Sequence, residues 1–416
     1  MKTERFLFIC CFLSLLLIVG SASSAVAVPV EEWNRTFGNI EFDCGHSAHQ
    51  TQDGGYILSG ETTVNYDEDN ADAFLMKLNS DGNEEWNRTF GGSAHDCAYS
   101  VQEITDGGYV LAGYLEHSGE IGERNSDAWM IKTDSNGTEE WNKTFGGINH
   151  DYVRSVQETN DGGYILAGGT NSFGAGASDV WLIKTDSNGT EEWNKTFGGV
   201  SEDHAFSVNE SRNGGYIIAG YTNASDADGA DAWLIKTDSN GTEEWNRTFG
   251  GTGYDYAYSV QEFDDEGYII GGYTESFGAG GADAWMIKTD SNGTEEWNKT
   301  FGGPYTDYAY SVQKTGDGGF ILAGSTQPTS DYNDTQALLI KTDSNGIEEW
   351  NMIFGGVDTD FITFAQETRD GEYILVGGTY SYGKVSDTWL IKVGSDKNIT
   401  TELDNLTTEL ENFMNI

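Results

Sequence analysis

The segment TDSNGTEEWNKTFGG occupies residues 133–147, recurs unchanged at 185–199 and 289–303, and returns at 237–251 with Arg247 in place of Lys. A chain that writes one long segment four times is assembled from copies of a single supersecondary unit. Each copy needs its neighbours to cover its apolar faces. The tryptophan of EEWN fixes the register at Trp33, Trp86, Trp141, Trp193, Trp245, Trp297 and Trp350, with intervals of 53, 55, 52, 52, 52 and 53 residues. Seven units therefore fill 31–393 without a linker, which implies one domain rather than seven.

Each unit contains four strand-like runs. In the third these are DYVRSVQET (151–159), YILAGGT (164–170), DVWLIKTD (179–186) and TEEWNKTFGG (190–199). The first two are separated by the hairpin signal Asp-Gly-Gly, and the last two by Ser-Asn-Gly. Asn-Gly predicts a type I′ turn, in which both central residues need φ > 0. No segment of the repeats reads as a helix. A period near fifty residues with four strands predicts an all-β fold: a seven-bladed β-propeller of four-stranded blades spanning 28–395. The repeated Trp and Phe are expected to wedge between blades. The phase is informative, because the repeats open on a fourth strand, EEWNRTFG (31–38), and close on a third, DTWLIKV (387–393). The N-terminal strand is thus expected to complete the last blade and leave no orphan sheet edge between the ends.

Residues 1–27 read as a secretory signal peptide: Lys2 and Arg5, an apolar run from Phe6 to Val19, then Ala25-Val26-Ala27. The run is short for a membrane span, and no other stretch is apolar enough. A secreted, extracellular or cell-surface location follows, one where Cys44 and Cys97 form a candidate disulfide and sequons such as Asn136 and Asn142 meet glycosylation machinery. The net charge of −46, from 68 acids against 22 bases, argues against nucleic acid and anionic membranes as partners. Residues 396–416 carry Leu403, Leu406, Leu410 and Phe413 at helical spacing. They read either as a short amphipathic helix lying on the propeller or as a tail for attachment or oligomerisation.

The runs DGGYILAGGT, DAWLIKTDSNG and EEWNKTFGG resemble the tandem propeller repeats of secreted and surface proteins of archaea and bacteria, related in style to kelch and quinoprotein propellers. That resemblance implies the propeller and a surface location, and it assigns no activity. The chain has seven units where quinoprotein dehydrogenases have eight blades, and no vicinal cysteine pair after residue 27, so quinone binding is not carried over.

Ten residues after each marker Trp stands an Asp: Asp43, Asp96, Asp151, Asp203, Asp255, Asp307 and Asp360. At the start of the innermost strands these seven form a candidate ring at the channel mouth. Either they hold the GGxxxD turn through backbone N–H groups, or they bind a cation such as calcium. The loops DEDNAD (67–72) and DADGAD (226–231) are acidic but lack the complete calcium-loop pattern. Departures from sevenfold repetition matter most for chemistry. His46 and His49 lie in the first unit, and His95, His150 and His204 stand beside ring Asp residues. With Cys44 and Cys97 nearby, His95, His150 and His204 are a candidate transition-metal group. No motif requires a cofactor. The reading is a binding or scaffold module for an extracellular protein or glycan. The alternative is an extracellular hydrolase or lyase acting at the channel mouth.

Overall fold

The computed structural model describes residues 28–395 except 39–41, 66–69, 118–124, 224–228, 264–266, 332 and 383–384. The signal-peptide segment 1–27 and the tail 396–416 lie outside the described residues. Among these residues, 28 strands run from β1 (Glu31–Phe37) to β28 (Asp387–Val393), arranged as seven antiparallel four-stranded sheets. No helix among them is long and apolar enough to cross a membrane. Blade 1 is β2 (Asp43–Gln50), β3 (Tyr56–Asn65), β4 (Asn70–Leu78) and β5 (Glu84–Phe90), and blades 2–6 repeat that order. Blade 7 joins β26 (Asp360–Glu367), β27 (Tyr373–Thr379) and β28 to β1, with Asn34 opposite Ile391 and Phe37 opposite Thr388. The N-terminal strand closes the ring as the phase predicts.

Burial follows position in the blade. The second and third strands of blade 3, β11 (Tyr164–Thr170) and β12 (Asp179–Thr185), are buried at every residue, because a blade covers each face. That is why YILAGGT and DVWLIKT read as continuous apolar runs rather than alternating ones. The outer strand β13 (Glu191–Phe197) is largely exposed, and its Trp193 turns inward. Each marker Trp packs on the aromatic ring that opens the second strand of the next blade. The ring centroids lie 6.0 Å apart for Trp141–Tyr164 and 5.9 Å apart for Trp193–Tyr216. The Lys of LIKT is buried beneath this surface. Lys184 Nζ lies 3.0 Å from Asp161 and 3.3 Å from Glu192, tying the first hairpin to the outer strand.

The Ser-Asn-Gly turn is not type I′. The Gly137 N–H donates to the Asp134 carbonyl at 3.0 Å and the Asp134 N–H to the Thr138 carbonyl at 2.9 Å. The turn is therefore centred on Ser135-Asn136, with Gly137 following at φ 73°, a three-residue hairpin loop with a bulge. The Asp side chain decides this outcome. Asp134 Oδ1 accepts the N–H groups of Asn136 and Thr138 at 2.9 and 2.8 Å.

The turn glycine has a second role, since it lies against the Trp of the preceding blade. A Cβ on Gly241 would fall 2.6 Å from the Trp193 ring, whereas one on Gly162, at φ 81°, would meet nothing within 4 Å. Gly162→Ala is thus expected to cost only the left-handed backbone term, about 1 kcal/mol. Gly241→Ala adds displacement of a Trp from the blade interface, for a total of about 2–4 kcal/mol. Urea midpoints of the two variants test this, and equal losses would contradict the wedge.

Candidate functional site

The channel lies on the ring axis, and the innermost strands line it. Each of them carries a bulge near its start, for example between Val153 and Ser155 in β10 (Asp151–Glu158). The bulged residue faces the axis: His46, Tyr99, Arg154, Phe206, Tyr258, Tyr310 and Thr363 all line a cavity of about 280 Å³. One residue further, six of the seven units have Ser and the seventh has Phe364. Repetition therefore governs the lower channel, and individuality is concentrated at its upper level. Arg154 is the one Lys or Arg among the lining residues. Its guanidinium lies 3.7 Å from the Tyr99 ring centroid and 5.5 Å from that of Tyr152. Its Nε is buried without a hydrogen-bond partner.

Around this level runs a chain of rings. It passes from His46 to Tyr99, Tyr114, His150, Tyr152, His204, Tyr221, Tyr256, Tyr273, Tyr308 and Tyr310, with centroid separations from 4.1 to 6.2 Å. Tyr221 and Tyr256 stack within 9° of parallel across a blade boundary. Burial pushes the Tyr152 phenol up to about 12 and raises Tyr114, Tyr221 and Tyr273 as well. At neutral pH the belt presents neutral hydroxyls, able both to donate and to accept.

The seven Asp residues are all buried. In blades 2–7 one oxygen of each accepts the Gly N–H four residues upstream at 2.8–2.9 Å. In blades 3, 5 and 7 a Ser hydroxyl also donates, at 2.6 Å, to Asp151, Asp255 and Asp360. The backbone N–H of Asp43, Asp96, Asp203, Asp307 and Asp360 donates to a carbonyl of the preceding blade at 2.7–2.8 Å. These carboxylates thus serve the turn and the step between blades. Of the acidic loops, Asp67, Asp69, Asp226 and Asp228 lie outside the described residues. Asp72 and Asp231 flank Gly91 and Gly250 opposite Asp96 and Asp255.

The structure does not gather His95, His150 and His204 into one donor set. His150 Nδ1 bonds Ser126 Oγ, His204 Nδ1 bonds the Tyr152 hydroxyl, and tyrosine rings separate the three histidines. His95 turns instead toward Glu61, with Nε2 to Oε2 at 2.7 Å. His46 Nε2 stands 3.7 Å from the other oxygen of Glu61. Cys44 and Cys97 are buried free thiols. Sequence reasoning passed over Glu61. Its signal was available, since the matching place of the other units holds Tyr114, Gly169, Tyr221, Tyr273, Ser325 and Gly378. His49 lies half-buried against Phe364, and desolvation lowers its imidazole to about 4, so it is neutral at pH 7.

No protein-family model matches the chain, and no curated protein matches it. Among solved structures it is similar to the WD40 domain of Neurospora crassa Pan2, with a TM-score of 0.54, 10% identity, and coverage of 85% of this chain and 89% of that one. It is also similar to a protein of unknown function from Dyadobacter fermentans (TM-score 0.50, 12% identity, 89% and 99% coverage) and to YCF48 bound to D1 peptide (TM-score 0.50, 12% identity, 90% and 99% coverage). At these identities the likeness is one of fold, the β-propeller.

Two measurements follow. Asp255→Ala is expected to lower stability by about 1–3 kcal/mol in the presence of chelator, because buried donors lose their acceptor. Asp307→Ala should fall in the same range, and calcium should not restore either; a calcium-dependent loss would favour the cation ring. The second concerns pH. Burial raises Asp96 to about 6, against N–H bonds from Glu116 and Gly92 and helped by the charge of Asp72. Its stabilising contribution is full below the ordinary value of 3.8 and is lost as pH rises through about 6. Asp53 and Asp161 behave oppositely. Burial is outweighed there by hydroxyl, N–H and lysine partners that hold both at about 2, so their contribution is lost as pH falls from 3.8 toward 2. His49, lowered to about 4 by desolvation, contributes in the opposite sense over the same range, so Asp96 is read by difference: wild type should lose melting temperature relative to Asp96→Asn as pH rises through about 6, and a difference that does not change with pH would contradict this account.

Proposed function

We propose that this protein is a secreted or cell-surface propeller that binds an extracellular partner protein on the face carrying the channel mouth. The observation that carries the reading is the concentration of exposed aromatic and apolar loop residues on that one face. The connections from outer to inner strand and from second to third strand both emerge there. They expose Ile148 (82%) and Val357 (84%), together with Phe173, Val200, Tyr254, Phe277 and Tyr382. The opposite face is built from the polar Asp-Gly-Gly and Asp-Ser-Asn-Gly hairpins, in which Ile347 of blade 6 is also exposed. Aliphatic loop tips add apolar contact area to a protein interface but contribute little to stacking on sugars. A protein is therefore favoured over a glycan, with nucleic acid disfavoured by charge. Export is supported by the pattern of residues 1–27, and the acidic surface suits a soluble exoprotein. The hydrolase or lyase reading draws its support from Arg154 and the His46–Glu61–His95 group.

Cross-linking of the purified chain to cell-surface extract, followed by mapping of the linked residues, tests this reading beside a glycan array. Cross-links are expected around Ile148, Val200 and Tyr254. A variant combining Ile148→Asp, Val200→Asp and Tyr254→Ala should weaken capture of the identified partner at least ~10-fold. Cross-links confined to the hairpin face, or unchanged capture by that variant, would refute the assignment. Selective glycan binding without a protein partner would move it to carbohydrate recognition.

A further inference from the structure

The seam between blades 1 and 2 is unlike the other blade boundaries, because it brings imidazole, carboxylate and thiol together at the channel mouth. We propose that His46, Glu61 and Cys97 form a binding site for a divalent transition metal of the zinc class. The three donor atoms lie within 4.8 Å of one another, and His46 Nε2 is 3.7 Å from Glu61 Oε1. A tetrahedral zinc with bonds of about 2.0–2.3 Å sets its donors roughly 3.3–3.8 Å apart. Small side-chain rotations therefore complete the geometry. Nitrogen, oxygen and sulfur in one set suit zinc and its neighbours rather than calcium or magnesium.

Two further observations bear on the site independently of donor type. His46 Nε2 is buried and makes no hydrogen bond among the described residues; Glu61 Oε1 stands 3.7 Å away, too far for one, and a metal between them would satisfy both. Glu61 is also held from behind, since its second oxygen bonds His95 Nε2 at 2.7 Å. This is the outer contact that orients a ligating carboxylate. The His46 ring is fixed in turn against Tyr99, with centroids 5.0 Å apart. The elements that supply the donors are rigid strands: His46 is the bulged residue of β2, Glu61 lies on β3, and Cys97 opens β6 (Cys97–Glu103). When the metal–sulfur bond forms, the Cys97 thiol proton leaves to solvent. Three protein donors leave the fourth position open to a further ligand.

The test is a titration of the chelator-treated full chain with Co²⁺, followed by displacement with Zn²⁺. One equivalent should bind, with a thiolate-to-cobalt charge-transfer band that zinc abolishes and that Cys97→Ser lacks. Glu61→Gln and His46→Ala should each weaken zinc binding at least ~10-fold, while His117→Ala, on the exposed end of another strand, should not. Circular dichroism verifies that the variants fold, and the wild-type cobalt spectrum does not depend on them. Absence of the thiolate band in the folded wild type would overturn the proposal. So would unchanged affinity in Glu61→Gln, or a Cys44–Cys97 disulfide found by mass spectrometry without reductant.

Discussion

The inner edge of each innermost strand presents a row of backbone N–H and C=O groups to a narrow channel, and the ring depends on how those groups are satisfied. The repeated Ser-Val-Gln-Glu supplies the answer. Ser100 Oγ accepts the Val156 N–H at 3.3 Å, and Gln102 Oε1 accepts the Glu158 N–H at 2.7 Å, each bond running to the next blade. Glu158 reaches back to the hairpin of the preceding blade, accepting the Thr105 N–H at 2.9 Å. Three polar positions of the four thus stitch neighbouring blades near the axis, while the marker Trp fills the wedge further out. The same pattern crosses the seam with altered residues. Gln366 accepts the Gln50 N–H at 3.0 Å, Gln50 accepts the Arg369 N–H at 2.9 Å, and the Thr363 hydroxyl donates to the Gly45 carbonyl at 2.9 Å. The ring is therefore closed twice, by β1 at its rim and by side chains at its axis.

That division of labour frees the upper level of the channel. Ser, Val, Gln and Glu are committed to holding blades together, so they repeat. Apart from Thr363, which bonds Gly45 across the seam, the bulged residues and the residues at the mouth carry no such obligation and vary from His to Tyr, Arg and Phe. Blade 1 departs furthest, with His49 in place of Gln and Glu61 where other blades place small or aromatic residues. The propeller thus combines a uniform lower half with a mouth divided between an aromatic belt and a compact His–Glu–Cys group. A binding face and a metal position on one rim are compatible. The belt offers neutral, rigid surface, while the metal would place a localised positive charge in an otherwise acidic field.

Much of this architecture was legible in the residues. The period, the four strands per unit, the closing role of residues 31–38 and the wedge role of the Trp all rest on local patterns repeated until chance is excluded. Where the reading failed, a side chain had intervened. Asn-Gly suggested a type I′ turn, yet Asp134 captured two N–H groups and moved the turn one residue upstream. For the seven Asp residues the sequence left turn anchoring and cation binding both open, and in blades 2–7 each spends at least part of its carboxylate on its own turn.

The sequence by itself determined the number of blades, their order and the seam, because strand pairing between consecutive hairpins is a local matter and the repeat states it seven times. The tertiary structure alone decided which groups meet at the mouth. Glu61 and His95 are 34 residues apart and belong to different blades. They touch because neighbouring sheets converge toward the axis, while a bulge turns His46 inward beside them. Convergence and bulge both depend on how whole sheets pack, and no spacing along the chain encodes that distance.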